Sequence, residues 1–552
     1  MFSFQDRSKL LHLLNTYSFD VLVIGGGITG AGIALDAASR GLSVALVEMQ
    51  DFASGTSSRS TKLIHGGLRY LKQLEFRLVA EVGREREIVY ENGIHVTTPE
   101  KMLLPIYKDG SLGILSTSIG LKLYDSLARV RKSERRKMLS KRETLALVPF
   151  LKDEGLLGAG YYVEYKTDDA RLTLEVLKKA VEYKAICLNY ARVTDFIYQE
   201  NRIVAAKVRD EITGEMITIH ATQIINATGP WVDELLKKDV PNQKKEKTLK
   251  LTKGVHIVLD QSALPLEQAI YFDTKDGRMV FAIPRDEKVY VGTTDTFYED
   301  NPIHPVAEKE DIEYLLNALK SIFPTLSIGF KDIESTWAGI RPLIYEEKKN
   351  PSDISRKDEI WTSSSGLMTI AGGKLTGYRL MAERIVDQIV KKHRFRHAKK
   401  CMTKKLPLSG AEGLRSSHFE DFLNKKAMEG AKYGLNFGEA KMLAQMYGTN
   451  IDRVFELLSK ETAVETLPKS LYAQLLYSIY HEMAYTPADF FIRRTGLMYF
   501  NLALVEQTKD AVIDIMSERI GYSESEKLFY TMQLNQLIHD AKGDGNERGA
   551  LD

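Results

Sequence analysis

Three glycines and a carboxylate near the start of the chain have the spacing of nucleotide chemistry. Asp20-Val-Leu-Val-Ile24 is a short β-branched run that leads into Gly25-Gly26-Gly27-Ile28-Thr29-Gly30, then Ala31 to Arg40 at helical spacing, Gly41, and a second strand from Ser43 to Glu48. In such a unit Gly25 permits the tight turn, Gly27 lets the backbone approach a pyrophosphate, and Gly30 lets helix and strand pack closely. The pyrophosphate then meets the helix N-terminus at Ile28 and Thr29, where free N–H groups and the helix dipole stabilise negative charge. Glu48 stands 18 residues beyond Gly30. A carboxylate there can accept both hydroxyl hydrogens of an adenosine ribose, and its charge disfavours a 2′-phosphate. Strand before, helix after and acid at this distance predict a bound dinucleotide. NAD and FAD share the pattern, so the residues that follow decide between them.

The chain continues through Thr56-Ser57-Ser58 to Leu63-Ile-His65-Gly66-Gly67-Leu68-Arg69-Tyr70. A hydroxyl-rich loop followed by HGGLRY resembles the flavin-contacting segment of the FAD-dependent, quinone-linked (aerobic type) sn-glycerol-3-phosphate dehydrogenases, within the D-amino acid oxidase and glycine oxidase superfamily. Further matches follow in order. Ile224-Ile-Asn-Ala227-Thr228-Gly229-Pro-Trp231 resembles the second FAD strand and turn, and Trp337-Ala-Gly339-Ile-Arg341-Pro-Leu the substrate-arginine motif. Thr369-Ile-Ala-Gly-Gly373-Lys374-Leu375-Thr376 resembles the closing flavin turn; Glu482 to Asp489 and Arg493-Arg494-Thr495 resemble the helical domain. The resemblance implies FAD, contacted by Gly25, Gly26, Gly27, Ile28, Thr29, Gly30 and Glu48, by Thr56, Ser57, Ser58, Leu63, His65 and Gly66, by Ala227, Thr228, Gly229 and Trp231, and by Gly339, Gly373, Lys374, Leu375 and Thr376. The residues themselves agree: TIAGGKLTGYRL reads as a buried strand, a glycine turn and a helix start, whose N–H groups can stabilise charge appearing at a flavin edge.

Oxidising a secondary alcohol by hydride transfer requires its carbon beside the flavin, a group to take the hydroxyl proton, and donors for the developing carbonyl oxygen. A phosphorylated substrate adds a dianion, for which the planar arginine fork is best suited. The resemblance places the cations Arg69, Arg341, Arg356 and Lys374 around the substrate, with Tyr70 as a hydroxyl donor and Asp276 near the glycerol hydroxyls. Arg356 matches only loosely. His256 aligns with the family's active-site histidine and is the preferred base, expected to change charge near neutral pH; His65 competes with it. No metal is expected, since Cys187 and Cys401 are far apart and flanked by no CxxC or His cluster.

These residues need a scaffold, and 552 residues with 44% hydrophobic content supply several domains. The expected fold class is α/β: a discontinuous Rossmann-like FAD-binding domain (1–95, 160–245 and 330–390), a mixed α+β substrate-binding cap (96–159 and 246–329), a basic linker (391–405) and an all-α C-terminal domain (406–552). Thr167-Asp168-Asp169 can cap a helix to about Tyr183, with Leu174, Leu177 and Val181 on one face. Alternation from Arg192 to Ala221, with turn signals at Glu200-Asn201 and Thr213-Gly214, predicts an antiparallel meander. Hairpin strands are expected at Gly254–Leu259, Met279–Ile283 and Val289–Thr293, and helices at Ser470–Tyr485, Val512–Ile520 and Glu524–Ala541.

Lys plus Arg is 76 against 74 for Asp plus Glu, a balance of +2 that gives no bulk reason to expect nucleic acid. Basic character is local, at Arg129–Lys137 and Lys391–Lys405. Each is a solvated segment or a contact to anionic phospholipid, and the resemblance favours the second, because such enzymes are peripheral membrane proteins that pass electrons to quinone. The start of the chain lacks a signal-peptide pattern, and no segment approaches the roughly 20 apolar residues of a spanning helix. The expected location is cytoplasmic, at the inner face of the cell membrane; a homodimer is left open. Oxidation of sn-glycerol 3-phosphate to dihydroxyacetone phosphate with a membrane quinone as acceptor is the reading, against a glycerophosphate oxidase that makes peroxide. Rivals from further away are an amine or amino acid oxidase and a nucleotide-binding scaffold protein without catalysis.

Overall fold

The computed structural model describes residues 2–66, 76–110, 113–127, 130–131, 134–239, 247–345, 358–460 and 464–543. Two large sheets dominate, and the architecture is the α/β fold with a mixed second sheet and a helical C-terminal part that the sequence predicts. The first has eight strands. Its path runs Glu359–Thr362, Met368–Ala371, Met216–Asn226, Ser18–Ile24, Val44–Val47 and Ile186–Leu188. Ser18–Ile24 pairs in parallel with both Met216–Asn226 and Val44–Val47. Val21, Leu22 and Val23 are completely buried, as expected of a parallel strand covered on both faces. The Ile28–Ser39 helix crosses between the first two strands and packs against Asp169–Glu182 and Tyr378–His393.

The meander appears as expected. Ala191–Gln199 and Arg202–Asp210 pair antiparallel through Glu200 and Asn201, both at positive φ, the backbone a two-residue hairpin turn requires. The next strand, Met216–Asn226, does double duty, since its second half enters the core of the parallel sheet. Asp168 caps the Asp169–Glu182 helix by accepting from the Arg171 N–H at 2.9 Å.

The second sheet has ten strands. It takes in the anticipated hairpins Leu249–Asp260, Met279–Arg285 and Lys288–Gly292. It also claims Leu156–Thr167 and Ile333–Ile344, which fall largely in the stretches assigned from sequence to the FAD-binding domain. The reason is register: Ile333–Ile344 pairs along the whole of Leu249–Asp260, from Leu249 opposite Ile344 to Leu259 opposite Ile333. This sheet is covered on both faces. Val255, Ile257 and Leu259 pack toward the Lys309–Ile322 helix, whereas Val258, Tyr290 and Trp337 share a core with the C-terminal helices, the alternation a strand imposes.

The C-terminal helices Lys469–His481, Leu502–Ile520 and Glu524–Ala541 are therefore part of the second sheet's core, and the last has the predicted bounds. Phe419–Glu429, Phe437–Tyr447 and Ile451–Lys460 precede them, unanticipated singly, and form their own small core.

A chain of buried ion pairs joins this helical part to the first sheet. Asp51, just past the Val44–Val47 strand, is 1% exposed and receives Arg493 Nε at 2.5 Å and Arg494 Nη1 and Nη2 at 2.7 and 2.8 Å. Glu482 accepts from Arg171 at 2.7 Å and from Lys178 at 3.2 Å. Burial raises both carboxyl pKa values, and the facing guanidinium and ammonium groups outweigh it, leaving Asp51 and Glu482 each at about 2. Both native values lie below the unfolded ones, so this stabilisation is complete above about pH 4.5 and is lost as pH falls toward 2. Asp51→Asn, which leaves two buried arginines short of a counter-charge, is expected to cost about 3–5 kcal/mol of unfolding free energy. Urea unfolding followed by circular dichroism checks this; the variant should also lose less stability than the parent as pH falls from about 4 toward 2.

Candidate active site

Where the two sheets meet, two cavities of about 230 and 240 Å3 adjoin. They share Thr56, Ser60, Pro342, Gly373, Lys374 and Leu375 as a common wall. The first runs along the C-terminal edge of the parallel strands. The second lies under the mixed sheet.

The glycines of the first cavity are explained by what a side chain would meet. Gly25 has φ +116°, and a Cβ there would lie 2.5 Å from the Ala227 carbonyl oxygen. A Cβ on Gly30 would come within 1.9 Å of the Gly25 oxygen, so the helix can sit against its own turn only with glycine there. Gly27 caps the helix, and the Ile28 N–H donates to Ser57 Oγ at 2.9 Å. Glu48 accepts from the Gly26 N–H at 2.7 Å and from the Gln50 N–H at 2.9 Å. A carboxylate has about four acceptor sites, so these two bonds fix its orientation and leave capacity for ribose hydroxyls.

Gly25, Gly27, Ile28, Thr29, Glu48, Thr56, Ser57, Ala227, Thr228, Gly229 and Trp231 all line the first cavity. Gly26, Gly30 and Ser58 line neither; the first two shape the turn from behind, and the Ser58 side chain is buried. Sequence reasoning passed over Met49, Ser54, Arg192 and Val193, which also line it, as does Gly372 of the glycine turn. The positive φ of both Gly372 and Gly373 turns the chain from Met368–Ala371 into the short Leu375–Gly377 turn and the Tyr378–His393 helix. That helix start, with its positive dipole end, lies at the common wall. A groove with backbone turns bare of Cβ atoms, an acid with acceptor capacity left over and two helix starts beside it fits a dinucleotide with an anionic middle.

The second cavity gathers Leu63, His65, His256, Gly339, Arg341, Lys374 and Thr376 from distant parts of the chain. Thr376 Oγ1 accepts from the His65 N–H at 3.1 Å and donates to the His65 carbonyl at 3.0 Å, pinning that segment to the closing turn. The His65 ring is half-buried, edge-on to Phe281. Gly66, behind it, is packed so that a Cβ would meet the Tyr124 hydroxyl at 2.1 Å. Tyr124 and Arg86 both donate to Glu164, a buried carboxylate on the cavity wall that the sequence did not single out. Arg341 is held in a fixed orientation, with Nη1 3.1 Å from Asp295 Oδ1 and Nη2 2.8 Å from Thr293 Oγ1. Gly254 opposite makes the room, since a Cβ there would stand 2.2 Å from Nη2.

His256 differs from expectation. It is 1% exposed, stacked on Trp337 at 4.6 Å and 11°, with Nε2 3.0 Å from Thr61 Oγ1. Burial, then the charges of Arg341 and Lys62, hold its pKa well below the ordinary value. It therefore stays neutral where it was expected to titrate. Asp276 also departs from its anticipated place: it lines neither cavity, and its carboxylate binds Arg278, Thr274 and Tyr314 on the outside. Arg69, Tyr70 and Arg356 lie outside the described residues.

This fold and site define a flavoprotein oxidoreductase: the chain belongs to the FAD dependent oxidoreductase family, whose model matches residues 20–379. A second model, the C-terminal domain of alpha-glycerophosphate oxidase, matches residues 401–527. Among individual proteins, the chain is 55% identical over 546 residues to an aerobic glycerol-3-phosphate dehydrogenase of Bacillus subtilis, covering 98% of each. It is 54% identical over 547 residues to the enzyme of that name from Staphylococcus aureus, again covering 98% of both. The crystal structure of a glycerol-3-phosphate dehydrogenase from Bacillus halodurans complexed with FAD is similar at a TM-score of 0.85 and 45% identity, over 98% of this chain and 99% of that one.

Gly30→Ala is expected to push helix and turn apart and to yield protein purified without flavin. Gly27→Ala, whose Cβ would meet only the Ser57 hydroxyl at 3.1 Å, should fold and bind FAD more weakly. The ratio of flavin to protein absorbance, with circular dichroism alongside, checks both.

Proposed function

We propose that the protein oxidises sn-glycerol 3-phosphate to dihydroxyacetone phosphate and passes the electrons to a membrane quinone. The observation that carries this reading is the oriented Arg341 beside Lys374 and His65 in a cavity that shares a wall with the FAD groove. Whole-length similarity to aerobic glycerol-3-phosphate dehydrogenases supports it. Bound FAD supplies the hydride acceptor. The residues named above from the first cavity, with Gly373 to Thr376 at the common wall, would hold it.

Arg341 and Lys374 bind the substrate's anionic oxygens and steady the C2 oxygen as it becomes a carbonyl. His65 takes the hydroxyl proton. It displaces His256 in that role because a base whose conjugate acid faces Arg341 and Lys62 in a buried site is a poor proton acceptor. His256 instead braces the wall, through Trp337 on one side and Thr61 on the loop leading to His65 on the other. The packed mixed sheet and C-terminal helices behind Trp337 exclude water from that side.

The acceptor reading rests on a surface. On the Ile114–Leu127 helix, Thr117, Leu121 and Tyr124 face inward, while Leu115 and Ile119 are 74% and 59% exposed and Lys122 shares their side. Exposed Arg135 and Lys137 follow, although Arg131 in the same run is committed to Glu87 and Glu91. An apolar stripe edged by cations suits an anionic lipid surface, where each basic residue contributes about 1 kcal/mol. Among the described residues no helix is long and apolar enough to cross a membrane, which leaves peripheral attachment. Use of oxygen in place of quinone is the second reading, favoured by the match of the C-terminal part to an oxidase domain.

Anaerobic glycerol 3-phosphate should bleach the bound flavin; absence of bleaching removes the proposal, and peroxide formed at turnover rates on admitting air selects the oxidase. In the same stopped-flow experiment His65→Ala should slow reduction more at neutral than at alkaline pH, where hydroxide or ionised alcohol partly substitutes. His256→Ala should show a loss without that pH dependence. The reverse pattern would exchange the two roles.

Sedimentation with vesicles should show binding to anionic but not neutral lipid, weakening as salt shortens the screening length below roughly 10 Å. Leu115→Glu with Ile119→Glu should abolish it. Unchanged binding of this variant would move the contact elsewhere, the Lys391–Lys405 run being the next candidate.

A further inference from the structure

One more cation borders the substrate cavity. Arg278 precedes the Met279–Arg285 strand. It lies on the wall of the second cavity and also on that of an outer hollow, which Lys253, Thr294, Glu308 and Tyr314 help to line. Arg278 and Thr294 belong to both walls. They form the sill between the cavity and the outside.

The side chain is oriented from two directions. Its Nε lies 3.3 Å from Asp276 Oδ2, and its guanidinium carbon stands 5.5 Å from the centre of the Tyr314 ring. Asp276 is itself held by the Thr274 and Tyr314 hydroxyls, the latter at 3.2 Å. Among the described residues these contacts engage Nε and one face of the guanidinium, and no hydrogen bond or ion pair reaches its two terminal nitrogens. The side chain as a whole is 34% exposed. The rest of the hollow offers no equivalent: Lys253 is committed to Asp311 at 2.8 Å and to Glu308, and Glu299, Asp300 and Glu310 are anionic. A dianion entering this way meets repulsion until it reaches Arg278. There a planar fork already turned by Asp276 can give two parallel hydrogen bonds to phosphate oxygens.

We propose that Arg278 selects the phosphate group of the substrate at the mouth of the cavity, and that Asp276 and Tyr314 are its positioning residues. The inference rests on the substrate reading above and goes beyond it in assigning selectivity to a residue outside the flavin motifs. It also gives Asp276 work other than contact with the glycerol hydroxyls.

A contact to the non-reacting phosphate is made equally before and in the transition state, so its loss raises the half-saturating concentration and spares the limiting rate. In anaerobic stopped-flow reduction of the holoenzyme, Arg278→Ala should raise half-saturation for glycerol 3-phosphate roughly ten- to hundredfold, the range of charged hydrogen bonds. The limiting rate should stay within about twofold. Inhibition by inorganic phosphate should weaken in parallel, and Arg278→Lys should fall between. Asp276→Asn should weaken binding by a smaller factor in the parent and by nothing further in the Arg278→Ala background, as expected of a residue acting through another. Unchanged flavin content and melting temperature would exclude a folding defect in this half-exposed loop. A flavin in the parent that glycerol 3-phosphate fails to bleach overturns the substrate reading and the inference with it. Bleaching of the parent, with Arg278→Ala matching it in half-saturation and phosphate inhibition, overturns the inference alone. So does a fall in the limiting rate with half-saturation unchanged, or an Asp276→Asn effect that persists without Arg278.

Discussion

Asp51 cannot be buried alone. A carboxylate 1% exposed just past a parallel strand must be paired or protonated, and here its partners come from residues 493 and 494, more than four hundred positions away. The loop that begins at Asp51 carries Ser57, which accepts from the helix start at Ile28, and Thr56, which donates to the Ile340 carbonyl in the other sheet. One ion-pair cluster thus holds the helical C-terminal part, the nucleotide turn and the second sheet in mutual register. The Asp489–Arg494 turn of π-helix brings Asp489 and both arginines to the same point, and Asp489 secures the Tyr190 hydroxyl at 2.7 Å.

The same juxtaposition sets the electrostatics of the candidate site. Because the C-terminal helices seal the face of the second sheet that carries Trp337, His256 lies in a dry layer between Trp337 and Thr61 with Arg341 and Lys62 nearby. Burial and like charge act in one direction on an imidazole. His65 lines the same cavity but is only half-buried, so two histidines of similar sequence prominence stand in different surroundings. Arg341, too, is defined by its neighbours: Asp295 and Thr293 choose the plane of its fork, and the missing side chain of Gly254 lets it lie there.

The nucleotide turn, its acid, the Asp168-capped helix, the meander and the last helix were all legible in the sequence. Each is a local pattern, a glycine at forced φ or a period of two or 3.6, that a short window contains. The motif glycines and hydroxyls led to most of the first cavity for the same reason. What stayed hidden were contacts made at long range. Glu164 and Arg278 carry no motif of their own, and Asp276 stood in a recognisable place but turns outward to Arg278. The assignment of Ile333–Ile344 to one sheet or the other depended on a strand some eighty residues earlier.

By itself, then, the sequence determined that a βαβ turn with Gly25, Gly27, Gly30 and Glu48 would form, and that a second glycine turn at Gly372-Gly373 would open a helix, because steric exclusion at these positions is decided within a few residues of backbone. Only the tertiary structure decided which cations are committed and which remain accessible, which histidine stays neutral, and how the C-terminal helices bear on a site to which they are distant in sequence. Charge and desolvation are properties of surroundings assembled from several segments at once, and those surroundings exist only after the two sheets and the buried ion pairs have come together.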